Sequence, residues 1–268
     1  MSVLEAAVLG AVQGLTEFIP ISSSGHLVIV PDLFGWSQPG LAFDVLLHAA
    51  SLVALLAYFR KDLVTLTRGF LGGDRSSRRL VFLLAIGTVP AVVAGVLFAD
   101  FFEESFEDAR SAALQLVITA VILVTAEQVA SRHSAARRRD GRSLRKMEDL
   151  NFGDAGIIGG AQAISILPGI SRSGATIGAG LAFAVDRSES ARFAFLLAIP
   201  ALLGASLVEI PDMAGTSLGT APAIVGFIAS LVTSYAAIWG LIRYLRSRTL
   251  YPFAAYCVVA GLIFYAIL

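Results

Sequence analysis

An all-α, polytopic membrane protein is what this sequence predicts, with six transmembrane helices and two re-entrant helical hairpins in an inverted-topology repeat. Three observations lead there. Hydrophobic residues are 56% of the 268 and charged ones 15%, against about 25% charged in soluble domains. Apolar runs long enough to cross a bilayer, roughly 20 residues each, recur along the whole chain. A short polar motif also occurs twice inside otherwise hydrophobic sequence: Gln13 through Ser22-Ser23-Ser24-Gly25-His26, and Gln162 through Ser171-Arg172-Ser173-Gly174. Ionisable groups at membrane depth are costly, so their presence there points to function.

The first apolar region, 3–34, follows a start that lacks the basic segment and small-residue cleavage site of a secretory signal, so it is expected to be retained. Pro20 interrupts any continuous helix within it. Each half is about 14 residues, or roughly 21 Å of helix, short of a hydrocarbon core of ~30 Å. That predicts a hairpin entering and leaving on one side. A single span followed by an external serine loop fits less well, because Leu27-Val28-Ile29-Val30 is too apolar for a loop in water. Uninterrupted runs then predict spans near 41–59, 80–99 and 111–130. The region 154–186, broken at Pro168, predicts the second hairpin, and spans follow near 190–209, 220–242 and 251–268. The single cysteine, Cys257, lies in the last run and excludes an internal disulfide or a cysteine-rich metal site.

Charge orients the chain. The loops 60–79, 131–152, 187–192 and 243–249 hold 18 of the 20 Lys and Arg residues, leaving only Arg110 and Arg172 elsewhere. The loop 100–110 is acidic (Asp100, Glu103, Glu104, Glu107, Asp108), and 210–218 has no basic residue. The positive-inside rule makes the basic loops cytoplasmic and puts both termini outside a cell membrane. Arg137-Arg138-Arg139 and Arg142 read as topology anchors rather than a nucleic-acid site, with anionic lipid headgroups as the second reading. Glu209 and Asp212 read as interfacial.

An offset of 149 aligns Gln13 with Gln162, Ser22 with Ser171, Ser24 with Ser173 and Gly25 with Gly174. Each half then carries one hairpin and three spans. Three is odd, so the second half is inverted, and inverted repeats of this kind meet at a site near the midplane. The expected organisation is one membrane domain: repeat 1 about 1–130, a basic cytoplasmic linker about 131–152, and repeat 2 about 153–268. The two polar motifs should face each other.

In the second motif the residues after Gly174 are expected to begin a helix whose free N–H groups point at the break. With the Arg172 fork, and with Ser171, Ser173 and Thr176 nearby, this is an anion site suited to phosphate. The first motif offers Ser22 and Ser24 as caps, Ser23 as a hydroxyl, and His26 as a general acid or base. Glu17, in an apolar segment, is expected to be protonated, to bind a cation, or to be held by Arg172. Asp44 and His48 share a helix face; support of the site and a local structural role are equally compatible with the sequence.

The run Gln13-Gly14-Leu15-Thr16-Glu17-Phe18-Ile19-Pro20-Ile21-Ser22-Ser23-Ser24-Gly25-His26, with Pro168-Gly169-Ile170-Ser171-Arg172-Ser173-Gly174-Ala175-Thr176 and Phe43-Asp44-Val45, resembles the signature motifs of the undecaprenyl pyrophosphate phosphatase family associated with bacitracin resistance. The resemblance covers essentially the whole chain. It implies hydrolysis, on the outer face, of a C55 isoprenyl diphosphate to the monophosphate carrier of cell-wall synthesis, with a divalent cation, Mg²⁺ or Ca²⁺. The residues it implies are Glu17, Ser22, Ser23, His26, Ser171, Arg172, Ser173 and Thr176. Many members have glutamate where this chain has Gln13, which puts two-carboxylate metal binding in doubt here.

The nucleophile is left open among Ser23, His26 and water, and so is a homodimer. The rival class is a transporter or flippase for a phosphorylated isoprenoid, which would use the same arginine and helix termini without needing Glu17 and His26 together. A purely structural membrane scaffold has no use for a guanidinium at the midplane.

Overall fold

The computed structural model describes residues 1–98, 109–209 and 218–268. Most of the two loops 100–110 and 210–218 lies outside them, with the acidic group Asp100 to Asp108 and Asp212, and so does the Glu209 side chain. Eleven α-helices are present among the described residues: α1 (Val3–Phe18), α2 (Ser23–Phe34), α3 (Leu41–Tyr58), α4 (Arg60–Leu71), α5 (Arg75–Leu97), α6 (Ala109–Arg139), α7 (Phe152–Ile164), α8 (Arg172–Ala182), α9 (Arg187–Glu209), α10 (Thr220–Leu245) and α11 (Tyr251–Ile267). Helices α3, α5, α6, α9 and α10 are long and apolar enough to cross a membrane. The sixth expected span falls on α11, which is apolar but 17 residues long.

Large apolar side chains line the outside: Val89, Val96 and Leu97 on α5, Val232 and Trp239 on α10, and Val259, Leu262 and Ile263 on α11 are all exposed. In water such a surface would aggregate; against lipid it is at home. The polar groups are inside, where Gln13, Glu17, His26, Glu127 and Gln162 are buried.

Two of the expected basic loops contain helix. The basic linker was expected from residue 131, but α6 continues as helix to Arg139. Arginine and alanine are good helix formers, and cations are favoured near a helix C-terminus. The basic loop 60–79 contains a separate amphipathic helix, α4, that lays Leu63 and Leu66 on the core. Asp74 caps α5, and hydrogen bonds from Ser76 and Ser77 hold its carboxyl below the usual range.

The two interrupted regions are built alike. Helix α1 begins with a capping box, Ser2 and Glu5 exchanging backbone-to-side-chain bonds of 3.0 and 3.2 Å. Helix α7 begins with another, Asn151 and Asp154, at 2.9 and 3.0 Å. These pairs are also 149 residues apart.

Each first helix then crosses a helix of the other half at a glycine. A Cβ built on Gly10 of α1 would sit 2.3 Å from the Gly226 carbonyl oxygen of α10. One built on Gly159 of α7 would sit 2.2 Å from the Gly87 carbonyl oxygen of α5. Close approach through small residues is how helices associate in lipid, where no hydrophobic gain separates helix from acyl chain.

The basic segments lock together through ion pairs and carbonyls. Arg79 donates to the Glu148 and Leu150 carbonyls at 2.7 and 2.5 Å. Arg192 pairs with Asp62 at 2.6 Å and Arg145 with Asp154 at 2.7 Å. Glu127, fully buried on α6, is held by Arg187 and accepts the Leu250 N–H at 3.1 Å.

Candidate active site

The site forms where the two breaks touch. Helix α1 ends at Phe18, before Pro20, and the chain turns through Ser22 at φ 68°, a left-handed conformation costly for a residue with a Cβ. Helix α7 ends at Ile164, and its break turns at Gly169, φ 93°. A Cβ on Gly25 would lie 3.1 Å from the Gly169 Cα, so the two turns are in contact. Thr119 on α6 fixes the second: its hydroxyl donates to the Gly169 carbonyl at 2.8 Å and accepts the Ser171 N–H at 3.0 Å.

Both breaks restart with the same cap. The Ser22 Oγ accepts the Gly25 N–H at 3.4 Å and lies 3.4 Å from the Ser24 Oγ. The Ser171 Oγ accepts the Gly174 N–H at 3.1 Å and lies 3.1 Å from the Ser173 Oγ. The second helix therefore starts at Arg172, not after Gly174 as expected, because Ser171 is its cap. Ser23 and Arg172 thus hold the same place, the first residue of α2 and of α8.

Those two residues converge on Glu17. The Ser23 hydroxyl donates to Glu17 Oε2 at 2.5 Å, and the Arg172 Nη1 lies 3.5 Å from Glu17 Oε1. Gln13, one turn earlier on α1, donates its Nε2–H to Glu17 Oε2 at 3.2 Å. The His48 Nε2 lies 3.8 Å from the same oxygen, its Nδ1–H donating to the Asp44 carbonyl at 2.8 Å. The contact between Glu17 and Arg172, one of the three fates expected for the carboxylate, is present. The carboxylate is 8% exposed, so the guanidinium and three further polar groups replace its hydration.

Other expected residues are placed differently. His26 bonds none of Glu17, Ser23 and Arg172. Its Nδ1–H donates to the Ser22 carbonyl at 2.7 Å, and its Nε2 meets the Tyr256 hydroxyl of α11 at 2.7 Å, the rings stacked 5.7 Å apart. Thr176 turns its hydroxyl back to the Arg172 carbonyl at 2.7 Å and is 2% exposed, so it braces the first turn of α8. Asp44 reaches the site through its backbone carbonyl. Gln162, the counterpart of Gln13, has both side-chain polar atoms buried without a hydrogen-bond partner among the described residues.

Sequence reading missed Tyr256, Thr119 and Glu127. All lie in segments read only as apolar spans, where one polar residue carries no motif.

No group of three or more His, Cys, Asp or Glu among the described residues forms a metal cage. A divalent cation still fits beside Glu17. The Gln13 Oε1 is buried without a hydrogen-bond partner among the described residues, on the side chain whose Nε2 holds Glu17. One carboxylate and one amide oxygen, completed by phosphate oxygens, suit a hard cation.

These features define an α-helical integral membrane protein whose buried carboxylate, arginine and serine meet at two helix starts, a constellation for a phosphorylated, membrane-borne ligand. The chain belongs to the family described as bacitracin resistance protein BacA, which matches residues 6–263. It is 42% identical to the undecaprenyl-diphosphatase of Syntrophotalea carbinolica, covering all of this chain and 99% of that one. It is 39% identical to that of Methanosphaera stadtmanae (98% and 97% covered) and 37% to that of Myxococcus xanthus (100% and 90%).

Proposed function

We propose that this chain is an integral-membrane undecaprenyl-diphosphatase. It hydrolyses the C55 isoprenyl diphosphate to the monophosphate and inorganic phosphate, recycling the lipid carrier of cell-wall and glycan assembly and conferring bacitracin resistance. The observation that carries this reading is the convergence of Ser23 and Arg172, one from each break, on the buried Glu17, in a chain of this family.

The amide N–H groups at the starts of α2 and α8 and the Arg172 guanidinium are the donors for the oxygens of the terminal phosphoryl group, where charge shifts in the transition state. Glu17 takes the Ser23 proton along their 2.5 Å hydrogen bond as the Ser23 oxygen bonds to the terminal phosphorus. The anhydride P–O bond breaks and the leaving lipid monophosphate accepts the proton. Glu17 then takes a proton from a water whose oxygen bonds to phosphorus, the Ser23 O–P bond breaks, and Glu17 returns the proton to the Ser23 oxygen as inorganic phosphate leaves. Glu17 and the Gln13 Oε1 would hold Mg²⁺ or Ca²⁺ with the diphosphate oxygens, and the ion supplies charge neutralisation when bound. His26 braces the strained Ser22 turn through the Ser22 carbonyl.

The topology that goes with this reading has α1–α2 and α7–α8 as re-entrant hairpins from opposite faces, α11 as a sixth span, both termini outside and the site open to the outer face. The short paired helices, the duplicated capping boxes and the reciprocal glycine crossings support the repeat. The grouping of 18 of 20 basic residues supports the orientation.

The test is purified protein in detergent with C55 diphosphate and Mg²⁺. Release of inorganic phosphate is expected, with ³²P from the terminal position trapped on Ser23 by acid quench. Binding without phosphate release would sink the phosphatase reading in favour of transport. Label on His26, or none on the protein, would overturn Ser23 as nucleophile.

A further inference from the structure

The basic residues do more than crowd one face. Where α6 ends at Arg139 and α10 at Leu245, the chain forms a hollow of about 360 Å³ that is open to the surface. Six arginines line it (Arg137, Arg138, Arg142, Arg187, Arg246, Arg248), and Asp186 is its one carboxylate. That carboxylate is already engaged by the Ser188 N–H and hydroxyl at 2.9 and 2.7 Å. Two of the arginines are fixed: Arg187 by the buried Glu127, and Arg137 by the Ser143 carbonyl at 2.7 Å. The other four form no ion pair among the described residues.

One or two cations near a helix C-terminus are explained by its dipole. Six around a single hollow repel one another and call for an anion. Both helices are long and apolar enough to cross a membrane, and the hollow sits at their basic ends; basic pockets between such helix ends take phosphate.

We propose that this cavity is a second phosphate-binding site, separate from the catalytic one and independent of the phosphatase reading, whose ligand carries one or two phosphate groups. An anionic lipid headgroup and a free phosphate share that chemistry, and the experiment separates them.

Native mass spectrometry of the purified protein with added cardiolipin or phosphatidylcholine reads retention directly. Cardiolipin should be held in preference to phosphatidylcholine. The variant R142Q/R246Q/R248Q should lose affinity for cardiolipin on the order of 100-fold, from roughly fivefold per cation. The control R68Q/R75Q, basic residues outside the cavity, should keep it. Where the triple variant fails to run as a monodisperse species, Arg142→Gln and Arg246→Gln singly should each lose about fivefold. Displacement of cardiolipin by millimolar inorganic phosphate assigns the site to free phosphate, and no displacement assigns it to the headgroup. Equal cardiolipin retention by wild type and the cavity variants would overturn the site, as would an equal loss in R68Q/R75Q.

Discussion

The two breaks are the same backbone device carrying different chemistry. Each follows a capped helix, crosses the other half at a glycine, turns at positive φ and restarts on a serine cap with a second serine two residues on. They differ at the first residue of the new helix, serine in one and arginine in the other, and four residues after the shared glutamine, where one has Glu17 and the other Ile166. The duplicated part aims helix N-termini at one place. The differing part supplies one carboxylate, one hydroxyl and one guanidinium, each once. A symmetric pair would set two carboxylates or two guanidiniums face to face at a cost in repulsion; the divergence removes that and leaves a neutralised triad.

The sharpest test removes the side chain that the second copy lacks. Glu17→Gln keeps the shape of the side chain but removes both the proposed base and the charge partner of Arg172. Turnover of C55 diphosphate should fall about 10³-fold, the upper range for losing one group that acts only in the transition state. A variant retaining a tenth of wild-type turnover would show that the asymmetry at Glu17 is not catalytic. Next in size is Arg172→Lys. A point charge cannot reproduce the planar fork, and kcat should drop roughly 100-fold. Near-normal turnover would leave the second copy with no chemical role.

The shared architecture is tested by Gly10→Ala and Gly159→Ala. Each new methyl would meet a carbonyl oxygen, of Gly226 and of Gly87 respectively, closer than van der Waals contact allows. Overpacking of this kind costs about 1–3 kcal/mol, and the two variants should lower Tm by similar amounts in detergent. A loss at one crossing only would mean that the halves do not bear load equally.

Tyr256→Phe removes one hydrogen bond to His26 and keeps the stacked ring. A net hydrogen bond of about 0.5–1.5 kcal/mol corresponds to a 2- to 10-fold fall in kcat, with KM unchanged. No change in kcat would confine Tyr256 to packing.

How much of this was legible in the sequence follows from what repeats. The break positions, the serine caps and the facing of the two motifs were readable because Pro, Gly and Ser in an apolar run have few other uses. The same offset of 149 also links Ser2-Glu5 with Asn151-Asp154 and Gly10 with Gly159, but chemically different cap residues and isolated glycines do not announce themselves as a repeat. The meeting of Ser23 with Glu17 was not readable, since it depends on how α2 returns past α1. His26 was expected as a general acid or base of the same site. Yet residues four apart on a helix lie one above the other, so its ring folds back on Ser22 and leaves its far nitrogen to α11. Long helices such as α6 overran their expected ends because charge alone does not stop a helix.

The smallest effect is the most discriminating for the comparison. Gln13 and Gln162 occupy equivalent places, but Gln13 has Glu17 one turn on, whereas both polar atoms of Gln162 are buried without partners among the described residues. A buried amide with no partner costs free energy that an apolar residue of similar shape would not. Gln162→Leu should therefore leave turnover within about twofold and hold or raise Tm by a few degrees, while Gln13→Leu should lower turnover by weakening the hold on Glu17. If Gln162→Leu instead costs as much activity as Gln13→Leu, the second copy takes part in the reaction through more than Arg172, and the division between a shared frame and single-copy chemistry would have to be redrawn around both glutamines.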